Sequence, residues 1–230
     1  MIKVLPYNKI TGLTVTRGSK RVINGLSLEF LPGQIHVILG PGGSGKTTLL
    51  KLLTNQKGLE SFEVEGKILQ TVDKYIHMTQ YIDKPSDSLN NKIKDDESSL
   101  YVKQLWGDQN QVVVKRLFDH LDTPMDVLPK ELIKLAQFTY SMQKASTSEW
   151  LFFDEPEVNT GDYMTNIAAV INSYRKGRII IVNTHNIEFA RLLADRILLL
   201  VYGEPKFVGP SEEFFNSEDP MIQNVLKFGI

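Results

Sequence analysis

Residues Gly40-Pro41-Gly42-Gly43-Ser44-Gly45-Lys46-Thr47 spell G-x-x-x-x-G-K-T without interruption. That spacing is chemistry for gripping a polyphosphate. Glycines let successive backbone N–H groups curl around phosphate oxygens, and a helix that starts at the end of the loop adds its positive dipole end. Lys46 is placed to bridge β- and γ-phosphates, and the Thr47 hydroxyl to ligand Mg²⁺. The cradle extends to Thr48. A second cluster, Phe152-Phe153-Asp154-Glu155-Pro156, is an apolar run ending in two carboxylates. An Asp at the carboxyl edge of a strand holds Mg²⁺, usually through water. The adjacent Glu155 is placed to polarise a water attacking the γ-phosphate. Either cluster alone has a plainer reading, a glycine-rich turn or a surface acidic pair. Together in one chain they point to a nucleoside triphosphate and magnesium.

Positioning these groups takes strands and helices in alternation. Gln34 to Leu39 is a short apolar run of strand length, and Thr47 to Leu53 has helical apolar spacing, so the glycine loop lies in the strand–turn–helix setting it needs. Ahead of it, Thr11 to Thr16 and Leu26 to Phe30 alternate like strands, with turns at Arg17 to Lys20 and Leu31 to Gly33. Glu63 to Gln70 and Lys74 to Met78 read as further strands. Tyr81 to Ser99 is polar and irregular and reads as a loop. From Leu100 to Met142 the pattern turns helical, with Val112, Val113, Leu117 and Leu121 on one face, and Leu132, Leu135, Ala136 and Thr139 on another. Beyond Trp150 to Asp154, a helix over Met164 to Tyr174, a strand over Arg178 to Val182, a helix over Glu188 to Ala194 and a strand over Arg196 to Tyr202 complete a parallel α/β pattern.

Composition narrows the field. The chain has 230 residues, 26 basic and 27 acidic side chains and no cysteine. Its size fits one domain with a subdomain. The balanced charge points to no nucleic-acid partner, and the lack of cysteine excludes disulfides, thiolate metal sites and a thiol nucleophile. No apolar run is long enough to cross a bilayer, and the first residues lack a signal-peptide core. Any membrane association is therefore expected to come through a partner.

On these residues the chain resembles an ABC-type ATPase, the nucleotide-binding subunit of an ABC transporter, from Leu13 to about Phe215. The glycine loop resembles the family's Walker A, and Leu151 to Glu155 its Walker B. The resemblance implies a P-loop α/β core with an N-terminal antiparallel β subdomain and a helical subdomain inserted at about 81–146. It further implies that Gln80, ending Tyr75-Ile76-His77-Met78-Thr79-Gln80, contacts Mg²⁺ and the attacking water and couples to a membrane subunit. His185, in Asn183-Thr184-His185-Asn186, matches the switch histidine that senses the γ-phosphate. Glu155, His185 and Gln80 are thus the implied catalytic set, and Thr47, Asp154 and Gln80 the implied metal set. ATP and Mg²⁺ are the implied ligands, with an integral membrane subunit and a second ATPase protomer, identical or different, as partners. Ala194-Asp195-Arg196, Gly203 and Gly209 follow the family's C-terminal pattern. A GTPase would need Asn-Lys-x-Asp, which Asn91-Lys92-Ile93-Lys94 lacks.

The chain departs from the family where it would serve a neighbour. The signature Leu-Ser-Gly-Gly-Gln appears as Leu128-Pro129-Lys130-Glu131-Leu132. Pro129 removes a hydroxyl and an N–H donor, and Glu131 adds negative charge where a phosphate approaches. Lys130 offsets this only as a point charge. Val158-Asn159-Thr160-Gly161 replaces Ser-Ala-Leu-Asp, with the aspartate displaced to Asp162 or lost. Arg17 stands in place of the aromatic that stacks on adenine; a guanidinium plane can stack on a base, and a solvated turn residue is an equal alternative. Thr16-Arg17-Gly18, Gly25-Leu26-Ser27 and Gly45-Lys46-Thr47-Thr48, with few residues after the core, resemble the haem-exporter (cytochrome c maturation) subunit, which implies the cytoplasmic or mitochondrial-matrix face of an inner membrane. Two functions stay open: a motor subunit that hydrolyses ATP, and a nucleotide-binding structural or assembly subunit that hydrolyses little.

Overall fold

The computed structural model describes residues 8–69, 75–78, 103, 105–106, 111–120, 123–124 and 127–230. Two sheets organise them. Strand β1 (Asn8–Arg17) pairs antiparallel with β2 (Lys20–Phe30) on one edge and with β4 (Glu63–Leu69) on the other. Both N-terminal strands outrun their apolar alternation, because backbone pairing continues from Asn8 opposite Phe30 to Arg17 opposite Lys20. Register shifts between Ile10 and Leu13 let Ile10, Leu13 and Val15 all face the core despite their uneven spacing.

The second sheet has the order β5-β6-β7-β3-β8-β9. Strands β5 (Tyr75–Met78), β6 (Trp150–Asp154), β7 (Ile179–Thr184), β3 (Ile35–Leu39) and β8 (Arg196–Val201) run parallel. Edge strand β9 (Glu204–Pro210) returns antiparallel. Every residue of β3, β6 and β7 is buried, as central parallel strands covered on both faces must be. Alternation sorts their side chains. Leu151, Phe153, Ile180 and Val182 join one core; Trp150, Phe152, Ile179 and Ile181 join the other, with Leu49 and Leu50 of helix α1 (Lys46–Leu53) and Ile10 of β1.

On the first face lie α2 (Gln111–Asp119), α3 (Lys130–Gln143), α4 (Met164–Ser173) and α5 (Ile187–Leu193). Phe138 of α3 packs on Phe153 and on Trp106, with ring centroids 6.0 and 5.7 Å apart. Val113 and Leu117 are the buried stripe of α2, but Val112 is 64% exposed. A buried face of i, i+4 spacing leaves its neighbour about 100° away, pointing outward. Leu121, the expected loop over 81–99 and Gln80 lie outside the described residues. The chain also continues past the last strand expected from sequence, into β9, α6 (Ser211–Phe215) and α7 (Pro220–Phe228). Among the described residues no helix is long and apolar enough to cross a membrane.

Candidate nucleotide site

The glycine loop leaves the carboxyl end of β3 and feeds α1. Two of its glycines are demanded by contact. A Cβ on Gly40 would lie 2.1 Å from the Leu200 carbonyl, and one on Gly45 would lie 2.6 Å from the Val22 carbonyl. Gly45 also takes φ +105° as the N-cap of α1, a conformation that glycine adopts without a side-chain penalty. No side chain caps α1 and no acidic residue occupies its first turn, which leaves its positive end for an anion.

Lys46 is buried, and its Nζ donates to the carbonyls of Gly40 at 2.6 Å and Pro41 at 3.0 Å. Burial pushes its pKa down, opposed by the nearby carboxylates of Glu155, Asp154 and Glu157. The ammonium therefore lies between loop carbonyls and acids, within the field a polyphosphate would enter. Gly42 and Gly43 are exposed, Ser44 is buried and Thr48 is half-buried.

The carboxylates arrive on β6. Strand parity puts Asp154 on the same face as Trp150 and Phe152, the face on which α1 lies. The Thr47 hydroxyl donates to Asp154 Oδ2 at 3.1 Å. Asp154 Oδ1 accepts from Nδ2 of Asn183 at 3.1 Å. Asn183 pairs with Asp154 across β6 and β7 and is wholly buried. The pair is an oxygen-only donor set, a hydroxyl beside a carboxylate, which suits a small hard cation completed by phosphate oxygens and water. Among the described residues no cluster of three His, Cys, Asp or Glu offers an all-protein metal cage, so the residues present fit Mg²⁺ arriving with a nucleotide.

Glu155 has left-handed backbone, φ +48°, held by its N–H bonding to the Asn183 carbonyl at 3.0 Å. A non-glycine residue in that region costs on the order of 1 kcal/mol and persists where the surroundings over-determine it. His185 Nδ1–H donates to Glu155 Oε1 at 3.1 Å, leaving Nε2 for another partner. Gln80 lies outside the described residues; β5, which leads towards it, ends alongside β6 with Met78 opposite Phe153.

The signature position is differently built. Pro129 is the N-cap of α3, with φ −54° and ψ 139° and no side-chain cap bond. Lys130 is exposed. Glu131 does not project its charge alone: Oε1 accepts from Arg116 Nη1 of α2 at 2.7 Å, and the same Nη1 reaches the Tyr163 hydroxyl at 3.2 Å. These groups line a cleft of ≈ 470 Å³ with Gly161 and Asp162. Asn159 takes φ +62°, and the Thr160 hydroxyl donates back to the Glu157 carbonyl at 2.6 Å. The Arg17 guanidinium sits over the Phe62 ring, 5.4 Å from its centroid. One of its faces is therefore engaged by an aromatic.

Sequence reading missed Asn183, Glu157, Lys134, Arg116 and Phe62. Asn183 carried a signal: a polar residue closing an apolar strand next to His185. Phe62 and Arg116 carried none, since their partners lie far off in the chain.

The profile of the ABC transporter family matches residues 23–156. A Pyrococcus horikoshii protein named as an ABC transporter ATP-binding protein is 30% identical over 219 residues, 85% of this chain and 80% of that protein. The hemin import ATP-binding protein HmuV of Pseudomonas aeruginosa is 24% identical over 232 residues, 91% of this chain and 89% of its own. A nucleotide-free ATP-binding cassette from an ABC transporter superposes with a TM-score of 0.72 at 16% identity, over 96% of this chain and 99% of the other; that likeness speaks to fold alone. With a phosphate loop, an aspartate at the strand edge and a family match spanning both, the chain belongs to the ABC transporter ATP-binding family.

Proposed function

We propose that this chain is a motor subunit of an ABC transporter, binding MgATP at its own loop and hydrolysing it in partnership with a second protomer. The observation that carries the proposal is convergence: Lys46, the Thr47–Asp154 pair and the Glu155–His185 pair all gather at the carboxyl ends of β3, β6 and β7. In this reading loop amides, Gly40 to Thr48 and the end of α1 hold the phosphates. Thr47 and Asp154, with Gln80, would hold Mg²⁺, which would supply positive charge to offset that of the phosphates. Glu155 accepts a proton from a water whose oxygen forms the new bond to phosphorus, while the bond to the bridging oxygen breaks and leaves ADP. His185 holds Glu155 through Nδ1 and can offer its second nitrogen to the γ-phosphate. Arg17, backed by Phe62, stacks on the base.

The segment at about 81–146 is the helical subdomain in this proposal, and it presents Pro129 to Glu131 to the partner's nucleotide. That surface has lost a hydroxyl and an N–H donor, so an intact partner gives the complex one competent site, on this chain's loop. Integral membrane subunits receive the motion. A role in haem export or cytochrome c maturation, on the cytoplasmic or mitochondrial-matrix face of an inner membrane, is a narrower proposal supported by Thr16-Arg17-Gly18 and Gly25-Leu26-Ser27; finding no haem-handling membrane subunit in a native purification would remove it.

A second reading, an ATP-holding structural subunit, is favoured by the lost signature at Pro129, Lys130 and Glu131. ATPase assays on the complex purified with its native partners separate the two. The motor reading predicts turnover that Glu155→Gln abolishes while nucleotide stays bound; no turnover in the wild-type complex favours the structural subunit, and unchanged turnover in that variant would sink the motor reading with Glu155 as its base.

A further inference from the structure

Behind the Glu155–His185 pair lies a second pair, one layer deeper and on the opposite face of the sheet. Alternation along β7 puts Asn183 with Ile181, towards α1, and Thr184 with Ile180 and Val182, towards α3. Two residues beyond Glu155 the chain turns Glu157 inward, to 6% exposure. There Glu157 Oε1 accepts the Thr184 hydroxyl, and Thr184 Oγ1 in turn accepts the Asn186 N–H at 2.9 Å. Glu157 Oε2 has no hydrogen-bond partner among the described residues. From α3, Lys134 enters the same layer at 5% exposure. Burial pushes the lysine's pKa down, opposed first by Glu157 and then by Asp154 and Glu155. Burial pushes the Glu157 pKa up, and the Thr184 hydroxyl pulls it back.

A lysine and a glutamate are seldom buried without each other. Here the lysine belongs to the helix that opens at the signature position. The glutamate belongs to the loop that carries Glu155. The threonine immediately precedes His185. The two links run in parallel: Glu155 to His185 at the surface, Glu157 to Thr184 beneath. Any tilt of α3 that moves Lys134 changes the field on Glu157, and Glu157 is tied through Thr184 to the backbone on which His185 sits.

We infer that Lys134, Glu157 and Thr184 form a buried strut that positions the Glu155–His185 pair and couples it to the orientation of α3. These are positioning residues, acting through their neighbours. The inference rests on the proposed hydrolytic role of Glu155 and His185, but its geometry can be tested without hydrolysis.

The test compares the full-length chain with Glu157→Gln, Thr184→Val, the hydroxyl-retaining Thr184→Ser, and the doubly neutral Lys134→Met/Glu157→Gln, which guards against a fold lost to one unpaired buried charge. Two readouts are taken: steady-state ATP hydrolysis by the complex assembled with its native partners, and the NMR resonances of the His185 ring in the chain itself. The strut predicts that Glu157→Gln and Thr184→Val lower kcat about tenfold with KM for ATP within about twofold, the pattern of a group that acts on the transition state and not on uniform binding. It also predicts displaced His185 ring resonances in those two variants and near wild-type values for both readouts in Thr184→Ser. The double variant is expected to fold and to show the same displaced His185 signals. Wild-type kcat in Glu157→Gln and Thr184→Val, or His185 resonances that stay in place in every variant, would overturn the strut. If the complex purified with its native partners does not hydrolyse ATP, the motor reading fails, and the His185 resonances alone decide the strut.

Discussion

The two ends of this nucleotide machinery are built to different standards. Around the glycine loop, the side chain that would touch magnesium is fixed by at least one further contact: Asp154 by Thr47 and Asn183, with Lys46 lodged on two loop carbonyls close by. Such preorganisation is what electrostatic stabilisation of a transferring phosphoryl group requires. At the start of α3, the corresponding positions hold a proline with no cap bond and a glutamate turned onto Arg116. The polar groups there satisfy one another and not a ligand. Under the proposed function the contrast has a simple cause: one surface serves this chain's own nucleotide and is kept, and the other would serve a partner's and is given up.

Four substitutions test the difference between the two surfaces. The largest effect is expected from Glu155→Gln, which should lower turnover of the assembled complex by ~10²–10⁴-fold, the range for loss of a general base; retention of tritiated or fluorescent ATP on the inert variant is the accompanying check. Next, Pro129→Ser with Lys130→Gly and Glu131→Gly restores the lost donors. In a homodimer of the chain this should raise turnover by about 10²-fold, the worth of one well-placed donor to developing charge. No gain would mean that the α3 surface never faces a nucleotide.

Smaller again, Asn183→Leu leaves Asp154 Oδ1 without its buried donor and should cost about 1–3 kcal/mol of stability, seen as a lowered midpoint in urea, along with weaker Mg²⁺ dependence of ATP binding. Smallest, Arg116→Ala removes a half-exposed ion pair worth about 0.2–1 kcal/mol. It frees the Glu131 carboxylate, so stability should hardly change while any residual activity of the α3 surface falls further.

Most of the near half could be read from the chain because its residues are contiguous. Gly40 to Thr47 and Phe152 to Glu155 each lie in a single stretch whose function follows from local geometry, and the strands that hold them are plain apolar runs. The sheet order and the side-to-side placement of Asp154 and Thr184 follow from parity once the strands are known. What escaped reading depends on pairs distant in sequence. Arg116 and Glu131 meet across two helices, and Lys134 of α3 is buried within the field of Glu157, which follows β6; no periodicity announces either. Val112 failed for a different reason: adjacent valines on a helix cannot share one narrow buried stripe.

The measurement that bears most directly on the account is equilibrium titration of the purified chain with ATP, with and without Mg²⁺, alongside Lys46→Ala. The account predicts one saturable site per chain, tightened by the metal and weakened on the order of 10- to 100-fold when the lysine's charge-assisted bonds are lost. Unsaturable binding, or equal affinity in the Lys46→Ala protein, would contradict it.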